Sequence, residues 1–224
     1  IACLMSEGVD GILMETIFDT LNAKAAIAAY ESVCEERGEH LPLLLSMTIS
    51  DASGRTLSGQ TVEAWLTSVL HARPYSVGIN CGLGAEAMLP YLRRMRAYEP
   101  SLRISCHPNA GLPNAMGQYD ETPDVTAGFV RQMLSEGLVQ IVGGCCGTTP
   151  DYIKATVEKT KSRELKPVVE KEHSVISSSQ EAVYFDKIPI LIGERINPTG
   201  KKLFKEALRN HDIGYVLNEG IKQK

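Results

Sequence analysis

Five short apolar runs alternate with five amphipathic stretches over the first 161 residues, and this rhythm restricts the fold more than any other feature. The runs are Val9 to Met14, Leu41 to Ile49, Ser76 to Ile79, Leu102 to Cys106 and Leu138 to Val142. Between and after them lie helix-like stretches: Thr20 to Glu36, Gln60 to Ala72, Ala85 to Tyr98, Pro123 to Glu136 and Pro150 to Lys161. Near-continuous apolar strands separated by helices imply a parallel sheet covered on both faces. Thr122-Pro123 and Thr149-Pro150 place a hydroxyl at the cap and proline in the first turn of two helices. Eight such strand–helix units in about 250 residues close a (β/α)8 barrel. The chain is therefore read as α/β, with residues 1–161 forming about the last five units of a partial TIM barrel and the early units expected before Ile1. A doubly wound open sheet is the competing arrangement. It predicts G-x-G-x-x-G after its first strand, and Gly82-Leu83-Gly84 lacks the third glycine and the flanks.

The texture changes after Lys161. Residues 162–187 are polar, show no clear period, and read as an interdomain linker. A new apolar strand, Ile188 to Ile192, leads into Gly193-Glu194-Arg195-Ile196-Asn197-Pro198-Thr199-Gly200-Lys201. A helix over Lys201 to Arg209 and another from near Ile213 follow. Residues 188–224 are read as the first βα unit of a second TIM-type barrel, begun but not completed.

The cysteines carry the chemistry. Cys145 and Cys146 stand together in Gly143-Gly144-Cys145-Cys146-Gly147-Thr148-Thr149-Pro150, after the last apolar run. Cys81 holds a similar place in Val77-Gly78-Ile79-Asn80-Cys81-Gly82. In parallel α/β folds functional groups gather at the C-terminal strand ends, so these thiols can meet. Adjacent strand residues point to opposite faces. The pair can share one ion only if the backbone leaves the strand, a freedom that Gly143, Gly144 and Gly147 offer. Three thiolates suit a soft ion such as zinc, and a three-ligand set leaves a position open where a structural site would be closed. Three thiolates outweigh the two charges of the metal. A substrate thiol in the open position is then ionised yet nucleophilic, which suits alkyl transfer to sulfur better than water activation. The competing readings are a zinc-stabilised scaffold without catalysis, a vicinal dithiol redox switch at Cys145-Cys146, and plain buried thiols. Cys3, Cys34 and Cys106 are read as packing residues.

Composition narrows the classes. A net charge of −4 gives no support to nucleic-acid binding. No apolar run has the length of a membrane span. Six cysteines spread through a long α/β pattern do not form a disulfide scaffold, and they favour a reducing, cytoplasmic compartment.

Several stretches resemble one family. Val77 to Leu83 (VGINCGL), Ser105 to Gly117 (SCHPNAGLPNAMG) and Ile141 to Pro150 (IVGGCCGTTP) resemble the homocysteine-binding domain of methionine synthases, and Asp10 to Thr20 (DGILMETIFDT) fits an earlier strand of that domain. Ile192 to Gly200 (IGERINPTG) resembles the opening of the pterin-binding domain of cobalamin-dependent methionine synthases. The resemblance implies zinc bound by Cys81, Cys145 and Cys146, with homocysteine as the substrate whose thiolate the metal holds. It implies methyltetrahydrofolate as the methyl donor and cobalamin as the carrier. The cobalamin would be bound by a module outside this stretch, in the same or another chain, so this piece is not expected to turn over alone. Betaine- or S-methylmethionine-dependent homocysteine methyltransferases are the nearest alternative, and they lack the second domain. Within this frame Glu15 is expected to receive the substrate ammonium group and Asn80 to fix the substrate loop. The Asn109 amide oxygen is expected as a labile metal ligand. His107 is its rival, and would close the site if it bound. Glu194 and Asn197 are the candidate pterin contacts. Asp120 and Glu121 read as helix-start acids, and Lys201, Lys202 and Lys205 as a solvated face.

Overall fold

The computed structural model describes residues 1–50, 53–161, 167–169, 174–185, 189–190 and 192–223. The chain divides into two compact units, Ile1–Tyr184 and Phe185–Lys224.

The first unit opens with α1 (Ala2–Ser6), β1 (Ile12–Ile17), α2 (Thr20–Arg37), β2 (Leu43–Met47) and α3 (Val62–Val69). It continues with β3 (Ser76–Gly84), α4 (Ala85–Tyr98), β4 (Ile104–Asn109), α5 (Pro123–Glu136), β5 (Ile141–Val142) and α6 (Pro150–Thr160), and ends in a hairpin, β6 (Val175–Ser177) and β7 (Ala182–Tyr184). The first five strands pair in chain order, all parallel. A doubly wound sheet reverses its order at a switch point. This one runs a single way, the arrangement of a barrel segment.

The helices form for readable reasons. In α2 the buried residues Ala23, Ile27, Tyr30 and Cys34 recur at helical spacing and face the sheet. Asp19 caps the start by accepting from Leu21 N at 2.6 Å, and Gly38 ends the helix in the left-handed region. Helix α3 starts at Val62 rather than at Gln60 because the Thr61 hydroxyl accepts from Ala64 N at 3.2 Å. Thr122 and Thr149 do occupy the cap positions of α5 and α6 with proline following, but their hydroxyls make no cap bond. One continuous core joins Leu45, Met47, Ile79 and Ile104 of the strands to Trp65, Met88, Leu92 and Met133 of the helices. Cys34 and Cys106 lie fully buried in it, as packing thiols should, whereas Cys3, read the same way, is exposed on α1. Burial pushes the Cys106 thiol up to about 12, so it stays protonated.

Two boundaries differ from the sequence reading. Strand β3 runs on through Cys81 to Gly84, because its pairing with β4 slips between Asn80 and Gly84 and then resumes. Part of the stretch 162–187 is structured: Val175–Tyr184 is a hairpin on α3, with Thr61 N donating to Gln180 O at 3.0 Å and Ser68 Oγ meeting Ser177 Oγ at 3.1 Å. Three-residue strands with exposed centres at Ile176 and Val183 are too short to show a period.

The second unit holds α7 (Lys202–Arg209) and α8 (Ile213–Gln223), close to the two expected helices. Phe204 and Ala207 are buried, and Phe204 meets the Tyr215 ring with centroids 6.2 Å apart. Of the expected strand Ile188 to Ile192, residues 188 and 191 lie outside the described residues, and Pro189, Ile190 and Ile192 are not in a strand.

Candidate metal centre

The site is built where β3, β4 and β5 end. Both β1 and β3 leave regular pairing at their C-terminal ends, where Thr16 and Cys81 adopt positive φ of 58° and 59°. A non-glycine residue in the left-handed region is held there only by its surroundings. Here the holder is Asn80, fully buried. Its Oδ1 accepts from Thr16 N at 2.9 Å and from Ser46 Oγ at 2.8 Å, and its Nδ2 donates to Thr16 Oγ1 at 2.8 Å and Glu15 Oε2 at 3.3 Å. Thr48 Oγ1 donates to its carbonyl at 2.9 Å. Three strands are thus tied together directly beneath Cys81.

The second side is the loop after β5. Cys145 N donates to Pro108 O at 2.8 Å, Cys146 N donates to Asn109 Oδ1 at 3.1 Å, and Cys146 O accepts from Ala110 N at 2.9 Å. The loop therefore continues the hydrogen bonding of β4 without being a strand, which frees the two cysteines from opposite faces. The glycines do this differently from expectation. Only Gly147 of the three has positive φ, at 78°. Gly143 and Gly144 provide room instead, since a Cβ on Gly143 would stand 2.6 Å from His107 Cδ2 and one on Gly144 would strike Thr148.

The outcome is a cluster of Cys81, Cys145 and Cys146 with all three Sγ atoms within 4.8 Å of one another. Cys81 Sγ and Cys146 Sγ are 3.6 Å apart. Two thiolates at about 2.3 Å from a tetrahedral ion stand about 3.8 Å apart, so the donor set fits zinc. Burial, with Cys81 adding to it, pushes the Cys145 thiol up to about 11. Hydrogen bonds, from Cys81 first and then from Tyr119 and Cys145, hold Cys146 below the ordinary thiol range. The pair thus differs in environment, with Cys146 the more exposed.

Other expected residues fall as follows. Glu15 is exposed at the end of β1, lines a cavity of about 220 Å³ with Thr16 and Asn22, and touches Asn80. Asn109 is buried and gives its amide oxygen to Cys146 N. His107 does not join the cysteine cluster. It is packed against Gly143, its Nδ1 is buried without a hydrogen-bond partner, and burial holds it below the usual imidazole range against the opposing charge of Glu15. Asp120 accepts from Asn114 Nδ2 at 3.0 Å rather than serving the helix, while Glu121 accepts from Thr126 Oγ1 in the first turn of α5. In the second unit Glu194 Oε2 pairs with Lys201 Nζ at 3.0 Å and Asn197 Oδ1 accepts from Thr199 N at 2.9 Å. Both side chains are engaged in their own turn.

Tyr119 is the residue the sequence did not announce. Its ring crowds Gly147 of the cysteine turn, from a loop that no motif includes. No helix among the described residues is long and apolar enough to cross a membrane.

Among solved structures, the apo form of the homocysteine methyltransferase MmuM from Escherichia coli is similar to this chain at 21% identity and a TM-score of 0.53. The match covers 70% of this chain and 52% of that one, so the chain spans about half the length of that relative. A likeness at this identity speaks for the fold. The family described as homocysteine S-methyltransferase matches residues 1–160, well over half the chain, and the chain belongs to that family.

Proposed function

We propose that this chain is part of a zinc-dependent methyltransferase that transfers a methyl group to the thiol of homocysteine, giving methionine. The observation that carries the reading is the convergence of three cysteine sulfurs from two strand ends with no fourth protein ligand among the described His, Cys, Asp and Glu side chains. Cys81, Cys145 and Cys146 would hold the ion. A zinc ion in such a set supplies a position where a thiol is bound in its ionised, still nucleophilic form.

The rest follows from the chain itself. Asn80 fixes the backbone that presents Cys81, and Asn109 fixes the one that presents Cys146. Neither residue spends its side chain on solvent, so the three donors are preorganised. Glu15, exposed beside this network, is suited to receive the substrate ammonium group. Methyl transfer to sulfur forms a carbon–sulfur bond as the methyl–donor bond breaks, and the thiol proton leaves beforehand.

For the donor we favour methyltetrahydrofolate with cobalamin as carrier, over betaine or S-methylmethionine. The support is the IGERINPTG segment and the helices that follow it, which resemble the start of a pterin-binding barrel. Glu194 and Asn197 would be its first pterin contacts, once released from their present partners.

Metal analysis of the full-length protein tests the reading. Wild type should hold one equivalent of zinc, and Cys81→Ala, Cys145→Ala and Cys146→Ala should each lose most of it. X-ray absorption should register one additional zinc–sulfur contact on adding homocysteine. An unchanged metal environment would instead mean a structural zinc site.

A further inference from the structure

We infer that a cavity at the N-terminal end of the sheet binds a small organic phosphate ester, with Arg73 and Arg103 holding the phosphate and Leu41, Pro42 and Leu43 taking the apolar body. The inference goes beyond the thiol cluster and does not rest on it.

The cavity encloses about 580 Å³, within the range of about 300–1,000 Å³ usual for small-molecule sites. Its walls come from segments that enter the strands. Leu41 to Leu43 lead into β2, Tyr75 stands just before β3, and Arg103 stands just before β4. The thiol cluster lies at the other strand ends. In barrel folds reacting groups gather at the C-terminal end, and the N-terminal end serves stability. Three observations at this N-terminal end are not explained by stability.

The first is unspent charge. Arg73 and Arg103 both line the cavity and are exposed, and neither side chain has an ion pair or hydrogen bond among the described residues. By contrast Arg93 and Arg94 grip the carboxylates of Glu136 and Glu63. The two guanidinium groups share the cavity with one carboxylate, Glu31, whose Oε2 stands 3.9 Å from His40 Nδ1. The second is an aromatic platform. Tyr75 is 47% exposed, and the Arg103 guanidinium carbon lies 4.6 Å from its ring centroid. Stacking orients the guanidinium while its N–H fork stays free. Tyr75 N donates to Leu43 O at 2.7 Å and Arg103 O accepts from Val77 N at 3.0 Å, so both residues stand on backbone bonded into the sheet. The third is backbone strain. Arg73 follows a short 3-10 turn, Leu70–Ala72, and adopts φ of 46° and ψ of 53°. Non-glycine residues held in this region gather at ligand clamps.

Charge and shape select the ligand. Two guanidinium forks suit a group that accepts bidentate hydrogen bonds and carries more than one negative charge. A phosphate monoester offers three oxygens and a charge of about −1.5 to −2 at pH 7, whereas a monocarboxylate answers only one arginine. The apolar wall favours an ester over the bare ion. The Tyr30 hydroxyl donates to Leu41 O and so belongs to the wall.

The test is calorimetric titration of the full-length protein at neutral pH with phenyl phosphate, inorganic phosphate and benzoate. Phenyl phosphate should bind saturably, and more tightly than the other two. Arg73→Gly removes one guanidinium and suits the left-handed backbone, while Arg103→Lys keeps a charge and loses the fork. Each should bind phenyl phosphate about tenfold more weakly or worse, the worth of a hydrogen bond to a charged group. Arg131→Ala, exposed on α5, should bind as wild type does. Stripping metal with a chelator should leave the binding unchanged, so failure here and failure of the metal reading are distinguishable. No saturable binding, or equal binding by wild type and both cavity variants, would overturn the inference. Benzoate binding as tightly as phenyl phosphate would overturn the phosphate assignment, and inorganic phosphate doing so would overturn the role of the apolar wall.

Discussion

The two sides of the thiol cluster are constructed on opposite principles. Cys81 sits inside a strand, in a left-handed conformation that five hydrogen bonds to a fully buried Asn80 enforce. Cys145 and Cys146 sit on a partly exposed loop after a two-residue strand, held by three hydrogen bonds to the end of β4. The first side is coupled to the core, since the same bonds join β1, β2 and β3. The second can shift without opening the core. A substitution beneath Cys81 should therefore cost stability and metal together, whereas one in the loop should cost metal more than stability.

Asn80→Ala is the sharpest way to break that contrast, and has the largest expected effect. It leaves the buried Ser46 hydroxyl and the half-buried Thr16 N–H and hydroxyl without their partner. Each unsatisfied group costs about 1–3 kcal/mol, so a loss of about 3 kcal/mol or more is expected in denaturant unfolding. A loss below about 1 kcal/mol would mean that water replaces the network, and that Cys81 is not core-coupled.

The next comparison sets one glycine from each side against the other. Gly82 has φ of 71°, and a Cβ there would strike the backbone carbonyl of Ile49, which cannot rotate away. A Cβ on Gly144 would strike Thr148, its Cβ included at 2.7 Å, so relief there needs a shift of the exposed loop rather than of a core strand. Gly82→Ala is expected to cost about 1–3 kcal/mol of stability through this strain. Gly144→Ala is expected to cost clearly less in the same unfolding assay. Equal losses would erase the distinction between a rigid and an adjustable side.

What the sequence made legible follows the same division. The alternation of apolar runs and helices located every strand of the parallel sheet and nearly every helix, because those elements are long and bury one face. Gly-Gly-Cys-Cys-Gly and Asn-Cys-Gly marked the three thiols, because unusual residues cluster where chemistry and sharp turns coincide. The hairpin Val175–Tyr184 was not legible, as its strands are too short to carry a pattern. Tyr119 was not legible either. Its place beside the cysteine loop depends on the contact between its ring and Gly147, twenty-eight positions later in the chain, and no local spacing encodes that. The glycines of the cysteine loop were correctly singled out for the wrong physical property, since two of them provide volume rather than backbone freedom.

His107 joins the two sides and gives the smallest of the expected effects. It is paired in register with Asn80 on one flank and packs against Gly143 on the other. Burial holds its folded-state pKa below 6.5, with Glu15 opposing the shift. The unfolded chain then binds the proton more readily than the folded one as pH falls through the ordinary histidine range. Stability is accordingly fully present above that range and declines as pH drops from 6.5 toward the lowered folded value. The charged imidazolium would carry an N–H at Nδ1, a buried atom with no hydrogen-bond partner. Unfolding free energies of metal-free wild type and His107→Gln, measured across this window, should diverge toward high pH. The glutamine variant should show the flatter profile, because the general acid sensitivity from carboxylates is common to both. Parallel profiles would mean that Glu15 compensates the imidazolium in full, and that the junction between the two sides tolerates a charge.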